Sequence, residues 1–122
     1  MSYDIAVWEG DMPADDDAAA AAFEALYDHY VLGSGTLGLV PPAAAIIAFV
    51  EGLLQRWPDL DEHNEDEVPW ADAPLVGNAL GPLLYLGITN GELGDQAVAY
   101  VRDLAAQAGL VCFDPQQAIL LR

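Results

Sequence analysis

The sequence predicts a single α+β domain spanning residues 1–122. Two observations carry that expectation: short alternating runs typical of strands flank longer runs with helical spacing, and an apolar fraction of 54% is ample for one core despite a net charge of −17. The first strand is read at Tyr3 to Glu9, where Tyr3, Ile5 and Val7 share one face and Trp8 takes the other. Gly10 to Ala14, with Pro13, ends it. Asp15, Asp16 and Asp17 then stand where caps and the helix dipole favour negative charge, so a first helix starts there. Its Phe23, Leu26, Tyr27 and Tyr30 recur at helical spacing and predict a stripe facing a sheet.

Three glycines and two prolines between Gly33 and Pro42 interrupt that helix. From about Pro42 the spacing of Ile46, Phe49, Val50, Leu53, Leu54 and Trp57 predicts a second helix, stopped by Pro58. Asp59 to Glu67 holds six acids with His63 and Asn64, a run whose mutual repulsion predicts a solvated loop. Pro74 to Asn78 and Leu83 to Thr89 read as two short strands in a hairpin-like arrangement. Asp95 is expected to cap a third helix that buries Val98, Val101, Leu104 and Ala105 and stops at Gly109. Leu110 to Phe113 and Ile119 to Leu121 complete the strands. The order strand, helix pair, strand, strand, helix, strand matches the split βαβ of ferredoxin-like sandwiches, a small and mostly antiparallel sheet with helices on one face.

Charge sets the expected partners. Twenty acids oppose three arginines (Arg56, Arg102 and Arg122) and no lysine, so nucleic acid and anionic membrane are poor partners and a basic protein surface or a metal cation is favoured. Solubility, a salt-rich cytoplasm or the low lysine usage of a high-GC genome would give the same composition. Cys112, alone, allows no intramolecular disulfide and fits a reducing cytoplasm. No basic leader precedes the first strand and no apolar run is long enough for a membrane span, so a cytoplasmic location is expected.

No catalytic constellation stands out. Gly33, Gly35 and Gly38 spell a dinucleotide-type G-x-G-x-x-G, but the pattern follows a helix rather than a strand and reads as a connector. Asp59, Asp61, Glu62, Glu65, Asp66 and Glu67 lack the glycine a calcium loop needs for its bend, so a solvated loop is expected and no cofactor is assigned. Cys112 sits among Leu110, Val111 and Phe113 as a small hydrophobe would. The partner-binding residues expected are those six acids together with Trp70, an aromatic anchor ringed by charge.

The segments Met1 to Glu9 (MSYDIAVWE), Arg56 to Leu60 (RWPDL) and Gly109 to Gln116 (GLVCFDPQ) resemble a family of small uncharacterised actinobacterial proteins, and loosely the acidic immunity proteins encoded beside polymorphic toxins. The resemblance implies an immunity protein or inhibitor and transfers no catalytic residue. The competing expectation is a small enzyme or divalent-metal-binding protein built on clustered carboxylates.

Overall fold

The computed structural model describes residues 2–32 and 40–121. The chain runs through β1 (Ser2–Trp8), α1 (Asp16–Leu26) continuing as a π-helix over Tyr27–Leu32, α2 (Ala44–Arg56), a 3₁₀ turn (Leu75–Asn78), β2 (Ala79–Leu80), β3 (Leu83–Thr89), α3 (Glu92–Ala108), β4 (Val111–Asp114) and β5 (Ile119–Leu121). One five-stranded sheet has the order β2-β3-β1-β4-β5, with antiparallel neighbours throughout. The first four strands stand in split βαβ order with β1 central, as the element sequence predicts.

The pleat explains the layers. Ile5 and Val7 of β1 join Leu84, Leu86, Ile88 and Cys112 on one face, and there α2 inserts Ile46, Phe49, Val50 and Leu53 while α3 inserts Ala97, Val101 and Ala105. Gly94 lets α3 lie hard against the end of β3, since a Cβ there would stand 1.7 Å from the Thr89 carbonyl oxygen. Gly109, at φ 73°, closes the helix through its N–H to the Ala105 and Ala106 carbonyls. Ala6 and Trp8 point the other way, with Leu83, Val111, Phe113 and Leu120, and α1 covers them. The expectation of helices on one face therefore holds for α2 and α3 and is corrected for α1. Because both faces of β1 are apolar, each needs a cover. Phe23 supplies it, with its ring 5.5 Å from Phe113, 5.7 Å from Tyr85 and 6.4 Å from Trp8.

Asp15 caps α1, its carboxylate accepting from the Ala18 N–H at 2.8 Å. Asp16 reaches the sheet edge, where its Oδ1 accepts from the Leu120 N–H of β5 at 2.9 Å and blunts a strand that is otherwise open to pairing. Two further boundaries depart from expectation. The segment read as a strand from Pro74 is a 3₁₀ turn, leaving only Ala79–Leu80 to pair with β3. α3 starts at Glu92 after Gly91, so Asp95 lies inside its first turn, donating its N–H to the Gly91 carbonyl, rather than at its cap. The glycine pattern at Gly33, Gly35 and Gly38 lies outside the described residues. Among the described residues no helix is long and apolar enough to cross a membrane.

Candidate binding surface

Where α2 ends, Trp57 turns extended and Pro58 cannot continue the helix, so the acidic segment leaves the helix layer at once. Its local order comes from its own short polar side chains. Asp61 accepts through Oδ1 from the N–H groups of His63 (2.7 Å) and Asn64 (3.0 Å), and Asn64 Oδ1 accepts in return from the Asp61 N–H at 2.7 Å. Asn64 Nδ2 donates to the Asp59 carbonyl at 2.9 Å, and Asp59 Oδ1 accepts from the Leu75 N–H at 2.8 Å, which ties the loop to the 3₁₀ turn. The solvated loop of the sequence reading is thus a hydrogen-bonded turn whose acids, Asp59 apart, stay outside.

The seven expected site residues do not act alike. Glu62, Glu65, Asp66 and Glu67 are exposed. Asp61, Glu62 and Glu65 border a depression of about 460 Å³ that Leu60, Trp70, Ala71 and Thr89 also line, Trp70 forming its floor with no exposed surface of its own. Asp59 is half-buried and spends an oxygen on the backbone.

Trp70 requires a correction. It is 0% exposed, its Nε1 donates to the Trp57 carbonyl at 3.3 Å, and its ring stands edge-on to Trp57 at 5.9 Å. The cause lies in the backbone: residues 69–71 run beside the end of β3 that β2 is too short to reach, with Trp70 bridged to Ile88, and that pairing turns the ring inward. As folded, the ring presents no surface to a partner.

The cationic side of the balance is thin. Among the described residues, ion pairs join Glu62 to His63 at 3.4 Å and Asp103 to Arg102 at 3.6 Å, and the Arg56 guanidinium lies 4.2 Å from the centre of the Trp57 ring. Among the described residues no guanidinium is paired with Glu65, Asp66 or Glu67. Also among the described residues, no three side chains of His, Cys, Asp or Glu converge as metal ligands would.

A second polar cluster was hidden in the sequence. Asp114, at the end of β4, is 2% exposed. The Tyr3 hydroxyl donates to its Oδ2, while Oδ1 accepts from the Gln116 N–H at 2.9 Å, Gln116 Nε2 at 2.6 Å and the Gln117 N–H at 3.3 Å. Gln116 Nε2 also reaches the Asp4 carbonyl at 2.8 Å, and the Tyr85 hydroxyl donates to Asp4 Oδ2 at 3.3 Å. Burial, reinforced by the Asp114 bond, pushes the Tyr3 phenol up to about 12. Burial and the Asp4 charge push Tyr85 up to about 12 as well. Both phenols are therefore protonated donors at neutral pH, and the cluster pins the β4–β5 turn to β1. Only the Asp-Pro turn signal after an apolar strand hinted at it. Burial likewise raises the Cys112 thiol to about 12, the opposite of what an activated nucleophile needs.

Comparison with protein-family models, curated proteins and solved structures finds no match for the chain.

Proposed function

We propose that this chain is a binding protein that engages a basic protein surface through the loop from Asp59 to Glu67, in the manner of an inhibitor or immunity protein. The observation that supports this reading is the exposure of Glu62, Glu65, Asp66 and Glu67 on a turn already fixed by Asp61 and Asn64. Carboxylates carried on an ordered turn and, among the described residues, without a guanidinium partner cost the backbone little order when a cationic surface arrives, and their summed field speeds its approach.

The test is to neutralise Asp61, Glu62, Glu65 and Asp66 as Asn or Gln. Asn at 61 keeps the oxygen that closes the turn, so the fold is preserved while the charge is removed. Proteins that the chain retains from lysate at low salt and releases at high salt should associate with the variant about tenfold more slowly, with a flatter salt dependence. An unchanged association rate would reject the loop as the contact.

A further inference from the structure

With the Trp70 ring turned into the core, the apolar surface beside the acidic loop is confined to the Leu60 and Ala71 wall of its depression, and the surrounding charge governs approach more than residence. A second apolar foothold would lengthen a partner's stay. α2 and α3 lie side by side with their chain directions opposed, Gly52 against Leu104 and Trp57 against Tyr100, and along their outer seam runs a groove of about 300 Å³. Ala45, Ala48, Phe49, Gly52, Leu104 and Ala108 line it, and none of these is polar. The small residues keep it open from outside, and Gly52 keeps it deep, since a Cβ there would stand 3.1 Å from a Leu104 methyl.

We propose that this groove docks the apolar ridge of a basic amphipathic helix on the same partner, an inference that rests on the acidic-loop reading and adds the source of affinity to it. Charge complementarity selects the occupant. Glu51 and Asp103 are exposed and each directly precedes a groove residue, Gly52 and Leu104, which sets them about 100° round their helices from those lining positions, on the flanks where Lys or Arg side chains beside a docked ridge would meet them. Asp103 shares its charge with Arg102 at 3.6 Å, which leaves Glu51 as the stronger of the two contacts. A second copy of this chain brings a charge of −17 against an equal −17, whereas a cationic helix is drawn in. Continuity supports the assignment too: α2 passes from the groove directly into Trp57, Pro58 and the acidic loop, so one partner can cover both.

The experiment uses the full chain and two Lys-rich peptides of identical composition, one with leucines at helical spacing and one with the same leucines scrambled. The patterned peptide should bind about tenfold tighter than the scrambled one, the worth of one well-seated aliphatic anchor. Ala48→Tyr, at an exposed position that fills the groove, should bring the patterned peptide down to the scrambled level, and Ala45→Lys should do the same if the tyrosine variant proves unstable. Neutralising the four loop acids should slow both peptides alike and leave their affinity ratio intact. Equal affinity for the two peptides, or a ratio that survives both groove variants, would overturn the groove assignment, and the loop reading would still stand if the loop variant slows association. Concentration-dependent dimerisation that Ala48→Tyr abolishes would give the groove to a second copy and overturn the proposal.

Discussion

Replacing Trp70 separates a core role from a binding role. The ring is fully buried, meets Trp57 edge-on and donates to the Trp57 carbonyl. Trp70→Phe keeps most of the apolar volume but leaves that carbonyl without its donor and opens a small void. The lost hydrogen bond is worth about 1 kcal/mol and the void a similar amount, so a loss of roughly 2 kcal/mol is expected. Trp70→Ala removes the whole ring and should cost about 3–5 kcal/mol, a large share of the roughly 5–15 kcal/mol that holds a domain of this size. Urea denaturation followed by circular dichroism reads both, as a lower midpoint at unchanged slope. A Trp70→Phe variant within about 0.5 kcal/mol of the parent that nevertheless loses its partner would refute the buried placement and restore the ring as a surface anchor.

The remaining expectations concern the sheet and its polar clamp. Asp114→Ala strips the acceptor from Tyr3, Gln116 and Gln117 and should lower stability by about 2–4 kcal/mol, read in the same denaturation assay, with Asp114→Asn losing about half as much because one acceptor oxygen remains. Gly94→Ala should destabilise by several kcal/mol, on the order of an overpacked core or more, despite the higher helix propensity of alanine, because its Cβ meets the Thr89 carbonyl at 1.7 Å. Tyr3 and Tyr85 titrate near 12 when folded and near 10.0 when unfolded, so the unfolded chain loses these protons first: their contribution to stability is constant below about pH 10 and is lost from there to about pH 12. A Tyr3→Phe, Tyr85→Phe double variant should show a shallower alkaline limb, and an unchanged limb would count against the clamp.

What the sequence made legible was local. β1 announced both of its faces, Ile5 and Val7 on one and Trp8 on the other, and α2 was bounded by Pro42 and Pro58 to within two residues of its observed span. Gly109 marked the end of α3 because only a left-handed residue closes a helix in that way. The layer that α1 would choose was not legible, since an apolar stripe specifies that a face is buried and not which face of the sheet buries it. The rings of Trp8, Phe113 and Tyr85, brought together by strand pairing across more than a hundred residues of chain, decide that. Pro74 to Asn78 looked like a strand by composition, and the Leu75–Asn78 3₁₀ turn instead feeds a β2 of two residues.

The candidate site divides along the same line. Charge and exposure of Glu62, Glu65, Asp66 and Glu67 follow from composition, because no core accepts an unpaired carboxylate. The inward turn of Trp70 does not, for it depends on the pairing of residues 69–71 with β3, a contact nearly twenty residues distant in sequence. Nor does the burial of Asp114, which is tolerable only because Tyr3 and the next two residues supply its donors.

The disposition of the arginines strengthens the electrostatic argument that composition began. A polyanion would need guanidiniums free to meet phosphates. Arg56 instead lies over the Trp57 ring and Arg102 against Asp103, so each of the two described arginines already has a neighbour that holds it. A phosphate backbone approaching this chain would have to displace those contacts while meeting twenty carboxylates, of which, among the described residues, only Asp114 is buried. A cationic surface faces neither cost. It gains the exposed acids of the loop without breaking an arginine pair, an asymmetry that supports the proposal of a basic partner.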